Sequence, residues 1–466
     1  MLSWKNTVMR CMHAITFCAV CLCVQGASLD VTLWLTITNP TPPGSDGLPS
    51  TFAVVGTDKI VIGCPTQDFP GAFNAGIAYL FSTNGSLLQT FERPLRYGSA
   101  NFGFALAAIG DDKMIMASEF DDRGSDLGAA YLFQTNGTLL MTFTNPVPSG
   151  PSGNFGAVMA AIPPDRVIIA DLYTHIPRMF SGAAYLFGTN GTLLSIFREP
   201  NAYCCNFFPR DLALVGDKIV CGSPQGNNSG GVVYVFNTNG TLFNTITNPT
   251  AASGGVLGVA LAALGADRII IGEPNKTVGG VSYAGTAYLF SLDGVRLATF
   301  TNPVPVSEGF GSAVAALGAD KILIGAPLGD VGGPNSGGAY LFDTNGTLLA
   351  TFKNPVPDAG GFGGTIKGVN TDTILIGAPY AGGGAYLFRI SDPSSTRLSI
   401  KSLTSGTFEI SWPRSTTGFV IECTSDLKSA LMTNVWKPVL SPYGTNATAI
   451  SVTVTGYQNS FFRLRN

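Results

Sequence analysis

Apolar residues along this chain come in short runs of two kinds. Stretches such as 322–324 (ILI) and 340–342 (YLF) are apolar at every position, the signature of a strand covered on both faces. Others alternate: Leu348, Ala350 and Phe352 interleave with Thr347, Thr351 and Lys353, which predicts a strand with one wet face. The runs recur in a fixed order. The clearest copy reads 310–317 (FGSAVAAL), a Gly-Ala-Asp turn, 321–327 (KILIGAP), a variable loop, 338–342 (GAYLF), a Thr-Asn-Gly turn, and 347–355 (TLLATFKNP). Each run is short, rich in branched and aromatic side chains and bounded by turn residues, so each unit predicts four strands.

Tyr79, Tyr131, Tyr185, Tyr234, Tyr288, Tyr340 and Tyr386 mark seven such units. A period of roughly fifty residues is that of a repeat architecture in which neighbours share one continuous core. Asn84-Gly85, Asn136-Gly137, Asn190-Gly191, Asn239-Gly240 and Asn345-Gly346, with Asp293-Gly294 in the fifth unit, predict type I′ hairpins between the third and fourth strands. Asp58, Asp112, Asp165, Asp217, Asp267, Asp320 and Asp372 mark a turn between the first and second. Each unit is then a four-stranded meander with fully covered inner strands and a half-solvated outer one, which is a propeller blade.

The ends of the array are complementary. Residues 32–38 form a fourth strand with no unit ahead of it, while the last unit stops after its third strand near Phe388. Pairing the two predicts an all-β, seven-bladed propeller over residues 27–391, closed by the strand 32–38 and free of exposed sheet edges. After a polar linker near residue 392 the pattern changes. Six short strands in residues 396–466, with Trp412 and Trp436 as core, predict a small β-sandwich similar to fibronectin type III modules.

Phe102-Gly103, Phe155-Gly156, Phe310-Gly311 and Phe362-Gly363, followed by Gly325-Ala326-Pro327 and Gly377-Ala378-Pro379, resemble the FG-GAP repeats of integrin-α-type propellers. Gly63-Cys64-Pro65, Gly222-Ser223-Pro224 and Gly272-Glu273-Pro274 are variants, and the second and third units lose the second half of the motif. The resemblance implies an extracellular adhesion or ligand-binding propeller. Family members often hold calcium through an Asp-x-Asp-x-Asp-Gly loop between the first two strands. Here that turn keeps one carboxylate per blade, too few oxygen ligands for a hard cation, so the resemblance is to the calcium-free variants and no metal is expected.

Composition narrows the function further. Of 466 residues only 12% are charged, against about 25% in ordinary globular proteins, and the net charge is −3. No basic stripe exists to neutralise phosphates, so no nucleic-acid partner is expected. Residues 1–26 carry Lys5 and Arg10, an apolar stretch and small residues at the end, which predicts a secretory signal peptide; no later segment is long enough for a transmembrane span. Beyond that peptide Cys64, Cys204, Cys205, Cys221 and Cys423 form no even, patterned set, so burial rather than a disulfide framework supplies stability. The sequons at the Asn-Gly turns follow from the turn chemistry itself.

Catalytic side chains are scarce: His175 is the only histidine after the signal peptide. In a propeller, the loops joining strands two and three and those joining successive blades emerge on one face. That rule gathers Arg96, Tyr97, Phe120, Asp121, Asp122, Arg123, Tyr173, His175, Arg178 and Tyr203 on an arc over blades one to four. Aromatic and arginine side chains dominate interface hot spots, so this arc is the candidate binding surface for a protein or glycan. The reading is a secreted, non-enzymatic binding or adhesion propeller without cofactor. The alternatives are a glycan-active hydrolase or lyase using Asp121, Asp122, His175 or Arg178, and a structural envelope or matrix component. Glu119, Asp121, Asp122 and Asp126 fit no known cation loop.

Overall fold

The computed structural model describes residues 29–40, 51–70, 72–94, 100–120, 127–147, 154–173, 181–201, 206, 208–226, 230–250, 255–304, 306, 308–331, 333–356, 360–379, 384–391, 399–404, 407–413, 420–424, 437–438, 443–445, 449–455 and 461–465. They fall into two compact units, Asp30–Ile390 and a second containing Ser391–Asn466. The first is a seven-bladed β-propeller of four-stranded antiparallel sheets.

Blade 1 comprises Thr51–Val55, Lys59–Cys64, Ile77–Ser82 and Leu87–Phe91. Blade 2 comprises Phe102–Ile109, Lys113–Ser118, Ala129–Gln134 and Leu139–Thr144, and blade 3 Phe155–Ile162, Arg166–Asp171, Ala183–Gly188 and Leu193–Phe197. Blade 4 is built from Leu212–Val215, Lys218–Ser223, Val232–Asn237 and Leu242–Thr247, and blade 5 from Leu261–Leu264, Arg268–Glu273, Thr286–Ser291 and Arg296–Thr301. Blade 6 is Ala313–Leu317, Lys321–Ala326, Gly338–Asp343 and Leu348–Lys353. In the seventh sheet the order is Asp30–Ile37, Ala385–Ser391, Thr373–Gly377 and Thr365–Gly368. The first strands of successive blades touch in an unbroken cycle, so they stand at the centre.

Two contacts repeat from blade to blade. In the first, the outer phenylalanine of one blade lies against the third strand of the next: Phe91 on Phe133, Phe143 on Phe187, Phe197 on Phe236, Phe300 on Phe342 and Phe352 on Phe388, with ring centres 5.3–5.6 Å apart. Phe102, Phe155, Phe208, Phe310 and Phe362 complete each cluster against the tyrosine and phenylalanine of the same third strand. Tilted and edge-on aromatic pairs of this kind add about 1 kcal/mol each beyond the area they bury. The second contact is backbone on backbone. A Cβ added to Gly63, Gly222, Gly272 or Gly325 would lie 2.0, 2.1, 2.0 or 1.9 Å from the carbonyl oxygen of Gly103, Gly258, Gly311 or Gly363 in the following blade. The partner glycines hold φ between +89° and +93°, which only glycine adopts without cost. The Phe-Gly and Gly-Ala-Pro halves of the repeat are thus the two sides of one inter-blade contact.

Two local expectations are corrected. In the Asn-Gly hairpins only the glycine is left-handed: Gly85, Gly137 and Gly346 have φ +92°, whereas none of the preceding asparagines has positive φ. Gly85 donates to the Ser82 carbonyl and Ser82 to that of Ser86. This is a type I turn closed by a glycine bulge, with a three-residue loop, rather than type I′. The outer strands also do not alternate from their first residue. Phe342 pairs Leu348 and Leu341 pairs Ala350, so Leu349 is skipped. The same bulge follows the first residue of the outer strand in blades 1 to 5. It leaves two successive apolar residues at the rim, such as Leu87 and Leu88, or Leu242 and Phe243, each exposed by more than 40%.

The aspartates of the first turn are held by their neighbours. Lys59 Nζ lies 2.8 Å from Asp58, Lys218 2.6 Å from Asp217 and Lys321 3.0 Å from Asp320. The carbonyls of Asp58, Asp112 and Asp165 meanwhile receive the amides of Thr83, Thr135 and Thr189 in the adjacent hairpins.

The second unit contains two antiparallel sheets, one ordered Ser399–Thr404, Thr407–Pro413, Ala449–Thr455, Tyr443–Thr445 and the other Lys437–Pro438, Val420–Thr424, Phe461–Arg465. Tyr443–Thr445 is a strand the sequence pattern does not announce. Trp436, the signal-peptide region and Cys204-Cys205 lie outside the described residues.

Because Gly325 faces a backbone carbonyl, Gly325→Ala should cost ~3 kcal/mol or more. Gly110, left-handed at φ +65° but facing open space, should cost only ~1 kcal/mol when changed to alanine. Urea titration of both variants checks this; equal losses would show that the inter-blade contact does not demand glycine.

Candidate functional site

The most conspicuous titratable groups are carboxylates buried between blades, and the fold accounts for them. Each fourth strand ends in an Asn-Pro step or a substitute for it. Asn145 donates to Asp171 at 2.5 Å, Asn248 to Glu273 at 2.5 Å and Asn302 to Glu308 at 3.1 Å. The blade tyrosines supply a second donor: Tyr288 to Glu273 at 2.8 Å and Tyr340 to Glu308 at 3.2 Å. Blade 4 inverts the arrangement. There Glu199 itself occupies the asparagine position and accepts from Asn206 (2.6 Å), Ser223 (2.8 Å) and Tyr234 (3.3 Å). Desolvation first, and then the neighbouring carboxylate, push the phenols of Tyr234, Tyr288 and Tyr340 well above their usual range. These are structural junctions, in which each of these carboxylates accepts at least two hydrogen bonds.

The cysteines Cys64 and Cys221 are buried and free. Burial pushes the Cys64 thiol up to about 12, and Cys221 rises through burial and the nearby Asp211 carboxylate. Thiols kept protonated in this way are packing residues. Among the described residues no cluster of three or more His, Cys, Asp and Glu side chains could hold a metal ion.

Of the ten residues of the sequence-derived arc, two are described. Arg96, Tyr97, Asp121, Asp122, Arg123, His175, Arg178 and Tyr203 lie outside the described residues. Phe120, at the end of the second strand of blade 2, is 36% exposed. Tyr173 follows the second strand of blade 3, where its amide donates to Asp171 Oδ1 at 2.9 Å. It lines a cavity of about 440 Å³; Phe120 does not.

That cavity lies over blades 3 to 5. Leu172 and Tyr173 come from the loop between strands two and three of blade 3, Pro224 and Gln225 from the same loop of blade 4, and Pro274 and Asn275 from that of blade 5. Asn206 and Arg210 come from the connection between blades 3 and 4, and Val256 and Val259 from that between blades 4 and 5. All ten belong to loops of the face picked out from the sequence, but the centre is displaced toward blade 5. Leu172, Pro224 and Pro274 are buried, while Arg210 and Gln225 are exposed. The buried part of the lining is mostly apolar, with Asn206 among it, and the rim is polar, the usual make-up of a small-molecule site.

Asn206, Arg210, Gln225 and Asn275 were not legible as a site one residue at a time. Aligning the repeat against itself exposes the strongest of them. At the place of Arg210 blades 2, 3, 5, 6 and 7 carry Phe104, Ala157, Val259, Ser312 and Gly364. No protein-family model matches the chain, and no curated protein matches it significantly. Among the described residues no helix is long and apolar enough to cross a membrane.

Burial raises the Glu308 carboxyl above the ordinary range, against the opposing hydrogen bonds from Asn302 and Tyr340. A carboxyl whose folded pKa exceeds its unfolded one brings no penalty below the unfolded pKa and destabilises increasingly as pH rises through the folded one. Wild type should therefore lose stability relative to Glu308→Gln between about pH 4 and neutrality. Denaturant midpoints of the two proteins across that range test it, and a pH-independent difference would contradict the assignment.

Proposed function

We propose that this chain is an exported, non-enzymatic binding protein that captures an extracellular protein or glycan ligand through the loop face of its propeller. The observation that carries the reading is the cavity over blades 3 to 5, whose lining includes Tyr173 from the sequence-derived arc. The buried carboxylates that would be the natural candidates for acid-base chemistry are engaged between blades. Residues 1–26 serve as the export signal in this reading, and residues 396–466 as a fibronectin-III-like sandwich; the two antiparallel sheets of the second unit support the latter.

The same proposal places the chain among FG-GAP-type propellers of the calcium-free kind. Support comes from the inter-blade contact between the Phe-Gly carbonyl and the Gly-Ala-Pro glycine, and from the lysine beside Asp58, Asp217 and Asp320 where a calcium loop would need further ligands. The amino-terminal strand acts as the latch of the ring. Ile37 packs with Phe52, Ile60, Val369 and Leu387 from blades 1 and 7, and the Arg389 guanidinium stands 3.6 Å above the Trp34 ring.

A glycan and protein array probed with the full chain identifies the ligand, and Tyr173→Ala with Gln225→Ala should weaken its capture at least about tenfold, ~1.4 kcal/mol, at unchanged melting temperature. Undiminished capture by this variant would remove the cavity from the reading. For the latch, Ile37→Ala should cost ~2 kcal/mol or more in denaturant; a loss below about 0.5 kcal/mol, the level of an ordinary surface change, would count against it.

A further inference from the structure

The repeat supplies an internal standard, because a residue required by the blade recurs and a residue required by something else does not. Blade 4 breaks the standard at its entrance. Phe208-Pro209-Arg210-Asp211 stands where blade 6 has Phe310-Gly311-Ser312-Ala313 and blade 5 has Leu257-Gly258-Val259-Ala260. The fold accounts for Asp211. Its two oxygens accept the amides of Leu212 at 2.8 Å and Leu261 at 2.6 Å, which ties blade 4 to blade 5. It does not account for the Arg210 side chain. That guanidinium is exposed at the cavity wall and has no hydrogen-bond or ion-pair partner among the described residues, acting on Asp211 only through space.

We propose that the cavity is a site for an acidic sugar, a hexuronate unit whose carboxylate sits on Arg210. The inference rests on the loop-face binding reading above and adds the ligand class. Among the described lining residues Arg210 is the only formally charged side chain, in a chain that is net negative. A planar guanidinium with free N–H groups matches a carboxylate in two parallel hydrogen bonds. The carboxylates beside the lining are engaged by donors: Glu199 by Asn206, Ser223 and Tyr234, Asp211 by the amides of Leu212 and Leu261, Asp171 by Asn145 and the Tyr173 amide, and Glu273 by Asn248 and Tyr288.

The rest of the lining favours a sugar body over an apolar one. Gln225 and Asn275 each bring a donor and an acceptor side by side, which suits neighbouring hydroxyls. Pro224, Val256 and Val259 offer apolar surface to ring C–H groups, and Tyr173 combines an aromatic face with a hydroxyl. A volume of about 440 Å³ falls in the range of small-molecule sites.

The test is calorimetric titration of the full chain with galacturonic acid, glucuronic acid and their short oligomers, against galactose, glucose and theirs. Uronates should bind at least tenfold more tightly than their neutral counterparts, and added salt should narrow the gap. Arg210→Ala should erase the preference, while Arg210→Lys, which keeps the charge without the fork, should retain part of it. Melting curves verify that both variants fold. Absence of uronate binding, equal affinity for neutral sugars, or an undiminished preference in Arg210→Ala would each overturn the proposal. If a neutral sugar binds instead and Tyr173→Ala with Gln225→Ala abolishes it, the loop-face reading stands and only the acidic ligand falls.

Discussion

At four of its junctions adjacent blades of this propeller meet backbone to backbone, a glycine of one against a glycine carbonyl of the next. Such an approach leaves no room for a side chain, and it brings the inner strands close enough for the aromatic side chains to seal the remaining gap. Where Ala117 or Ala170 stands in place of the first glycine the rings still meet, Phe143 with Phe187 at 5.3 Å and Phe197 with Phe236 at 5.6 Å; without the rings the gap would admit water to buried carbonyls. Blade 2 departs from the pair, since Ala117 replaces the glycine and its Cβ lies 2.8 Å from where a Cβ on Gly156 would sit. One methyl group is accommodated, and the facing residue is still glycine.

This constraint also explains the buried polar chemistry. Once the blades are that close, the end of each fourth strand arrives beside the second and third strands of its neighbour, and its backbone and side-chain polar groups are cut off from water. The Asn-Pro step meets this need: the asparagine amide donates across the junction, as Asn248 does to Glu273 and to the Gly230 carbonyl, while its carbonyl oxygen receives an amide two residues on, as with Thr250. A carboxylate placed at the same junction is held by charge-assisted hydrogen bonds, which cost heavily if one partner is removed. In blades 4 to 6 the recurrent tyrosine, read in sequence as a strand marker, has its hydroxyl in this network. A perturbed titration here reports burial between blades rather than reactivity.

The fold was legible because its signals are periodic: the glycine pairs, the tyrosines and the covered strands each recur many times, so the pattern survives local exceptions such as Pro209 or Ala117. The details that misled are local. Asn-Gly supports either a type I′ turn or a type I turn followed by a left-handed glycine, and only the pairing of Ser82 with Ser86 chooses between them. The alternation of the outer strand likewise hides the bulge, because Leu348 and Leu349 are both apolar and either could have faced inward. The cavity was half legible. Its face followed from blade topology, and Tyr173 from side-chain type; Asn206, Gln225 and Asn275 sit in connections whose lengths vary, where no period distinguishes them, and Arg210 stands out only against the small or apolar residues at the same place in other blades.

Departures from the repeat are where a propeller can acquire a function without losing its ring. Four of them coincide at the junction of blades 3 and 4: Glu199 for asparagine, Pro209 for glycine, and the Arg210-Asp211 pair for small residues. Three are answered locally. Glu199 is answered by Asn206, Ser223 and Tyr234; the amide that Pro209 lacks is replaced by that of Arg210, which donates to the Gly222 carbonyl at 2.8 Å; and Asp211 is answered by the amides of blades 4 and 5. Compensation on this scale keeps the sheet intact while the connection above it changes course, and the cavity opens at that point. What is left over after the compensation is the exposed Arg210 guanidinium at the cavity wall. A scaffold that needed only to pack would have no reason to keep it there.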